Sequence, residues 1–554
     1  MNELIFSIRK IIVLFFILFV GFIFIDDFTN INEVYGFIHQ KEYLKAIVYF
    51  GNYILGVLAV MMLLLNKYTK FITLFLLLIT ITIEIGYRKL SDLGFGYGDA
   101  LLILNEYSLA NEALKSYGKQ FLLPFFESFF FVTFLYFYTK KLYLKYSLFM
   151  GIIFSLITSF ISYKIIKLSN GVRTAYVVMF KEPMILFYTS HNKLYIGKRK
   201  SVNILPNKPL FKHIIYIVDE SVRGDKLGIN GFDKNTTPFL NKKAKEKNFY
   251  NYGVASSGGV CSSYSNAVLL SGIQINQLKD TKELIRKNSI IFQYAKKSKF
   301  KTSFFDMQNS RNKLNNFFQP TDLQNYVDYS FFIGEDYNKS YKIYQKDLIG
   351  LKKLKEYINK NKNNYTFTYF VKEGSHFSYI NKYPKNREIF KPVLSSDGWG
   401  EWNLKIKPKF LNTYYNSLNW GVDNFFKNIY KEFNNTDTLI IYTSDHGQNL
   451  MDDLSIKQTH CAKGPAPIVM AKVPLFIISM NNKPIPFKKE NINHASHFNL
   501  FGTNLYFMAY DIKDINKLYG KILFNDLSNQ KRYFTSGDIF GRSPMYKNKF
   551  EGNK

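Results

Sequence analysis

Five apolar stretches, at residues 11–25, 46–65, 71–85, 121–138 and 146–166, dominate the first third of the chain, and the pattern then changes. Each comes close to the roughly 20 apolar residues that a helix needs to cross a bilayer, with aromatic and basic residues at the flanks. The first lacks a small-residue cleavage site and is followed by four more, so it reads as an uncleaved anchor. Arg9 and Lys10 precede the first stretch; Lys67 and Lys70 separate the second from the third, and Lys140, Lys141 and Lys145 the fourth from the fifth. The alternate segments carry Asp26, Asp27 and Glu33, then Asp92, Asp99, Glu106 and Glu112. Basic residues collect on cytoplasmic loops, so the N-terminus is expected in the cytoplasm and everything after about residue 167 on the far side of the membrane. Residues 1–168 thus read as a five-helix transmembrane domain. Residues 169–205, with Arg173, Lys181, Lys193 and the run Lys198-Arg199-Lys200, read as an amphipathic linker lying along the membrane.

From residue 206 the periodicity is that of an α/β domain running to residue 554. Short β-rich runs at 213–218, 302–305, 365–371, 438–443 and 473–479 alternate with stretches long enough for crossover helices, at 276–298, 342–360 and 411–433. Near-continuous apolar strands separated by helices predict a mostly parallel central sheet covered by helices on both faces. No internal repeat or long low-complexity tract interrupts this pattern.

Composition narrows the class. Hydrophobic residues at 47% and aromatics at 18% exclude a disordered chain, and two cysteines exclude a multi-disulfide scaffold. The net charge of +31 suggests nucleic acid, but residues 201–554 carry 52 Lys/Arg against 30 Asp/Glu in a domain expected outside the cytoplasm. No stacking-plus-basic motif accompanies that charge, so nucleic-acid binding is not expected. Abundant Lys, Asn, Ile, Phe and Tyr are also what an AT-rich coding sequence favours.

Ligands of open α/β sheets gather beyond the carboxyl ends of the strands. Those positions hold Asp219-Glu220-Ser221, then Asp306 with Asn309, Arg311 and Lys313, then Gly374-Ser375-His376, and finally Ser444-Asp445-His446-Gly447. Five of the eight histidines, His376, His446, His460, His494 and His497, lie in this domain after predicted elements. Carboxylates and imidazoles without a thiolate cluster suit zinc or another divalent ion at an open, catalytic site. The segment 255–266, rich in Ser and Gly, leads into an apolar helix whose N-terminus favours an anion, and a metal-bound hydroxyl there is a nucleophile toward phosphorus.

These pieces resemble the alkaline phosphatase/sulfatase superfamily, and within it the membrane-bound phosphoethanolamine transferases that modify lipid A or lipopolysaccharide. Asp219-Glu220-Ser221-Val222-Arg223-Gly224-Asp225, with Asn230-Gly231 and Thr237-Pro238 beyond, is similar to the family's Gly-Glu-Thr-x-Arg-x-Asp…Asn-Gly…Thr-x-Pro stretch, and Ser444-Asp445-His446-Gly447 matches its Ser-Asp-His-Gly motif. The resemblance implies Glu220, Asp445 and His446 as zinc ligands, joined by the nucleophile. It implies His376 and His460 at the substrate phosphate or a second metal, a basic donor-side group at Arg311 or Lys313, and His497 near the site. The family's threonine nucleophile aligns with Ser262, with Cys261 and Ser263 as competitors. A sulfatase's Cys-x-Pro-x-Arg context is absent from Cys261-Ser262-Ser263-Tyr264-Ser265. Family members usually carry several disulfides. Here, if Ser262 and His460 face one metal centre, Cys261 and Cys461 are expected within bridging distance.

The function so implied is transfer of phosphoethanolamine from phosphatidylethanolamine to lipid A or the lipopolysaccharide core, through a phospho-enzyme intermediate on Ser262, with one or two Zn2+ as cofactor. The enzyme is expected to be a monomer in a bacterial inner membrane with its catalytic domain in the periplasm. The alternatives are transfer of another head group such as glycerophosphate, a sulfatase- or phosphodiesterase-type hydrolase, and, in another class, a non-catalytic membrane-tethered binding protein.

Overall fold

The structure is a computed structural model that describes residues 2–91, 94–96, 100, 104, 118–169, 177–191, 199–280, 287–309, 318, 320–335, 341–395, 404–456, 458–462, 464–537 and 545–551. It divides into two compact units, the first built from residues up to Leu194 and the second from Tyr195 onward apart from Gly541–Ser543.

The first unit is helical. Its described helices are α1 (Asn2–Ile25), α2 (Thr29–His39), α3 (Tyr43–Leu64), α4 (Lys70–Ser91), α5 (Leu122–Thr139), α6 (Ser147–Ser169) and α7 (Val178–His191). Among the described residues five segments, Phe6–Ile25, Tyr43–Leu64, Lys70–Lys89, Gly118–Thr139 and Ser147–Lys167, are long and apolar enough to cross a membrane, and they cover the five predicted stretches but for one residue at the end of the second and one at the start of the fifth. Small and hydroxyl residues bring α3 and α6 together, as is common where lipid removes the hydrophobic drive between helices. Asn52 donates to Ser162 Oγ at 3.0 Å and accepts from Thr158 Oγ1 at 3.0 Å, while Gly151 lets Leu63 approach. On α4, the fully buried Glu84 accepts from Arg88 at 2.8 Å and from Lys181 of α7 at 2.8 and 2.7 Å.

Among its described residues the second unit has a two-stranded antiparallel sheet, Tyr533–Gly537 with Met545–Lys549, and a main seven-stranded sheet with helices on both faces. The strands of the main sheet are β1 (His213–Asp219), β2 (Phe249–Ser256), β3 (Lys301–Asp306), β4 (Tyr329–Phe332), β5 (Thr366–Val371), β6 (Thr438–Ser444) and β7 (Lys472–Ser479), in the order β2-β7-β6-β1-β5-β3-β4. β1, β3, β4, β5 and β6 pair in parallel, and β7 runs antiparallel to both β6 and β2. Every residue of β1 and β6 is buried. Their alternate side chains feed two separate cores: Ile214, Tyr216, Val218, Leu439 and Ile441 on one face, and Ile215, Ile217, Ile440 and Tyr442 on the other. Each such side chain contributes roughly 1.5–3 kcal/mol of burial, and this makes the centre of the sheet a rigid base for whatever stands at its edge.

The five predicted strands are all present, each within a residue or so. β2 and β4 were not foreseen. β2 contains Asn251 and Gly253 at a register shift, and β4 has four residues, so neither carries a continuous apolar run. The predicted helices at 342–360 and 411–433 correspond to Lys346–Lys360 and to the run Lys407–Leu418, Asn419–Asn424 and Phe425–Phe433, whose middle piece is a π-helix. In the predicted helix 276–298, the described residues include the short helix Ile291–Lys297.

Candidate active site

β1 and β6 lie side by side in parallel with Asp219 opposite Ser444, so the residues that follow them emerge at one level. Glu220, Asp445 and His446 consequently place one donor atom each within 4.8 Å of one another, and all three are buried. His446 Nε2 is 3.5 Å from Glu220 Oε1 and 3.4 Å from Asp445 Oδ2. The chain is turned sharply enough to do this by Ser221, whose φ of 62° lies in the left-handed region.

The surrounding hydrogen bonds orient each group. Asp445 Oδ1 accepts the backbone N–H of Ser221 at 2.9 Å and of His446 at 2.7 Å, while its Oδ2 is buried with no hydrogen-bond partner. His446 Nδ1 lies 2.8 Å from the Gly447 carbonyl, which can only accept, so Nδ1 carries the proton and Nε2 presents a lone pair to the two carboxylates. Glu220 accepts from Ser221 Oγ at 2.7 Å and from Gln308 Nε2 at 3.2 Å.

Ser262 begins the helix Ser262–Ser271, and its hydroxyl donates to Glu220 Oε2 at 3.2 Å and lies 3.3 Å from His446 Nε2. Of its two competitors, Cys261 is bonded to Cys461, with Cα atoms 4.6 Å apart, as the two-cysteine expectation had it. Two further imidazoles complete the cluster. The His460 ring stacks on that of His446 with centroids 4.6 Å apart, and His376 meets His460 edge-on at 5.1 Å. His376 Nδ1 lies 2.6 Å from the Phe377 carbonyl, which can only accept, so Nδ1 is the donor there.

Electrostatics mark the cluster as built for a cation. Burial alone would raise Glu220, but His446, His376 and His460 outweigh it and bring its carboxyl down to about 2. Asp445 goes the other way, well above the usual carboxylate range, because it is buried and because Glu220 beside it is already negative. Burial pushes His446 down and His460 well down, toward the neutral form that ligates a metal ion. Two buried carboxylates, a neutral imidazole nitrogen and an unpartnered Oδ2 converge at donor distances, a set that fits a divalent ion such as zinc.

His497 is buried behind the cluster. Its Nδ1 accepts from the Gly258 N–H at 3.1 Å and its Nε2 is 3.1 Å from Thr443 Oγ1, so it pins the serine-bearing loop to β6. Burial lowers it to about 3, keeping it neutral for that bridge. Arg311 and Lys313 lie outside the described residues. Asp306, at the end of β3, accepts the backbone N–H groups of Gln308 and Asn309 at 2.7 and 3.0 Å, and burial raises its carboxyl to about 6.

Gln308 and Lys372 were missed in the sequence. Gln308 also donates to the Lys372 carbonyl at 2.7 Å. Lys372, fully buried, forms an ion pair with Asp219, which accepts from Tyr442 as well at 2.8 Å and receives the Glu220 N–H at 2.9 Å. Both follow strands by one or two residues, a positional signal that Asp306 and Gly374-Ser375-His376 overshadowed.

A family model described as Sulfatase matches residues 212–509, the whole sheet and every residue of the cluster. The chain belongs to the sulfatase family. Two curated relatives are similar to it: the Kdo(2)-lipid A phosphoethanolamine 7''-transferase of Escherichia coli, 23% identical over 292 residues, and that of Salmonella typhimurium, 22% over 290. Each alignment covers 52% of this chain and 48% of the relative, so the chain spans about half the length of these relatives. Among solved structures, the integral membrane protein lipooligosaccharide phosphoethanolamine transferase A of Neisseria meningitidis shares the fold across 94% of this chain and 98% of its own, at a TM-score of 0.56 and 17% identity. The zinc complex of the C-terminal periplasmic domain of EcEptC from Escherichia coli covers 63% of this chain and 96% of its own, with a TM-score of 0.52 and 16% identity. This sulfatase-family chain thus joins span-length helices to the family's α/β unit, the same order of parts as a full-length membrane relative.

Proposed function

We propose that the chain is a zinc-dependent phosphoethanolamine transferase of a bacterial inner membrane, taking the head group of phosphatidylethanolamine and placing it on lipid A or the lipopolysaccharide core. The observation that carries this reading is the Ser262 hydroxyl, 3.2 Å from Glu220 and 3.3 Å from His446 at the heart of the carboxylate–imidazole cluster. The transferase relatives and the span-length helices support it, since donor and acceptor are both lipids.

Glu220, Asp445 and His446 would hold the zinc ion, which supplies Lewis-acid polarisation of bound oxygens. Ser262 Oγ gives up its proton and attacks the phosphorus of the donor. An O–P bond forms, the bond to the diacylglycerol oxygen breaks, that oxygen leaves protonated, and phosphoethanolamine stays on Ser262. A hydroxyl or phosphate of the acceptor then attacks the same phosphorus and restores the Ser262 hydroxyl. His376, whose Nδ1 is engaged by the Phe377 carbonyl, offers its Nε2 to a proton or a second ion, and His460 borders the same space. The N-terminus in the cytoplasm and the catalytic unit in the periplasm complete the reading, with the domain limits expected from the sequence.

Replacement Ser262→Ala tests it. Lipid A and core from cells expressing the natural chain should gain the mass of one phosphoethanolamine, and the variant should add none while keeping its zinc. An unmodified lipid A with free phosphoethanolamine released to water would point to the hydrolase, and transfer retained by the alanine variant would remove Ser262 from the reaction.

A further inference from the structure

Ser262 and His460 reach the cluster by different routes. Ser262 stands at the first turn of a helix, whereas His460 lies in the stretch between β6 and β7, where the described residues form neither α-helix nor strand. An imidazole on such a stretch has little intrinsic reason to hold one position. Its neighbour supplies the reason. Cys461 is bonded to Cys261, the residue immediately before Ser262, and the Cys461 N–H donates to the Val260 carbonyl at 2.7 Å. Cys461 has a φ of 58°, a left-handed conformation that a non-glycine residue keeps only when its surroundings enforce it. On the other side of His460, the Thr459 carbonyl accepts the Asn449 N–H at 2.6 Å and Thr459 Oγ1 contacts His460 Nδ1 at 2.9 Å. The bridge joins residues 200 apart in sequence, each one position from a side chain of the cluster.

We propose that Cys261 and Cys461 are positioning residues for phosphoryl transfer: their disulfide is a tether that sets His460 against His446 at the fixed distance from Ser262 that the reaction needs. The proposal rests on the Ser262 reading above. It makes transfer conditional on an oxidised bridge, and because the chain has only two cysteines, a reductant acts at this one place. A trialkylphosphine with water breaks the S–S bond, giving two thiols and the phosphine oxide, and does so without a competing thiol ligand for zinc.

The test uses the full-length protein in detergent, purified without reductant, with a fluorescent phosphatidylethanolamine as donor and release of its diacylglycerol as the readout. Reduction by the phosphine, confirmed complete by thiol labelling, should lower kcat at least about tenfold, since a displacement of about 1 Å at a reacting constellation costs that much or more. KM should stay within about twofold, zinc content and far-UV circular dichroism should be unchanged at the assay temperature, and reoxidation by diamide should restore the rate. Cys461→Ser and Cys261→Ser should start at the low rate and ignore the phosphine. Hydrogen exchange at residues 458–462 should quicken on reduction whether or not any lipid is turned over. Undiminished turnover in fully reduced protein, a loss that tracks zinc release, or two free thiols in the protein as purified would each overturn the tether. If the oxidised protein transfers nothing, the Ser262 reading fails, and unchanged exchange at 458–462 separately rejects the tether.

Discussion

At the scale of single residues, the cluster is a compromise between binding and stability. Asp445 Oδ2 is buried without a partner, beside a carboxylate that is already charged. Asp445→Asn keeps an oxygen for the Ser221 and His446 N–H groups but removes the repulsion. Without metal the variant should therefore melt higher than the natural protein, by the equivalent of about 1–3 kcal/mol, while losing most of the stabilisation that added zinc confers. Thermal melts in chelator and across a zinc titration would show both effects, and an undiminished zinc-induced shift would exclude Asp445 as a ligand. His213, at the start of β1, works differently. It is buried against Thr366 Oγ1 at 2.8 Å, and burial, reinforced by Lys212 and Lys355 against the opposing pull of Asp437, lowers it to about 4. The unfolded chain therefore binds this proton first as pH falls, so the stability His213 gives is whole above about pH 6.5 and drains away toward pH 4, on the order of 3 kcal/mol. Replacing it with Asn should flatten the dependence of stability on pH across that window, and equal slopes in urea titrations of the two proteins would contradict this.

At the scale of elements, the site is a property of strand ends. Lys372 just past β5 pairs with Asp219 at the end of β1, accepts the company of the Phe425 ring at 4.4 Å, and donates to the Gly421 carbonyl at 2.5 Å in the π-helical turn. Lys372→Met strands a buried carboxylate next to Glu220 and should cost about 3–5 kcal/mol, most of it recovered by adding Asp219→Asn. Additive losses in that double-mutant cycle would deny the coupling. The same scale explains what could be read in advance. Strands buried on both faces announce themselves as apolar runs, and the residues just past them, Glu220, Asp445, His446 and His376, were legible for that reason. Gln308 and Lys372 were not, because a glutamine and a lysine after a strand have no chemistry of their own until folding sets them against Glu220 and Asp219. β2 was invisible because its turn at Gly253, with φ of 72°, interrupts the pattern that marks a strand.

For the whole molecule, the place where the second unit begins matters. Arg199 pairs with Asp322 at 2.7 Å with both side chains buried, and the Lys200 N–H donates to the Lys287 carbonyl. A fragment starting at residue 206 loses these contacts, the buried Arg199–Asp322 pair among them, whereas one starting at 199 keeps them. The longer fragment should be the more stable by a few kcal/mol, and coincident denaturation curves would refute the claim. Charge is also a whole-molecule property: the net +31 should make engagement of anionic lipid weaken as salt rises above the physiological range, measurable by vesicle flotation. Strand order has a consequence in time as well. β1 is synthesised first and sits at the centre of the sheet, yet its two neighbours begin at Thr366 and Thr438. At roughly 5–20 residues per second the ribosome takes on the order of ten seconds or more to make the chain between β1 and β6. Until Thr366 is made, a strand apolar on both faces waits with both edges open, and until Thr438 with one still open, a state that invites aggregation. Synthesis that stops before Thr438 leaves Glu220 made and the partners that define its purpose still unborn, so nascent-chain protection, more than final stability, will set how much active protein a cell obtains.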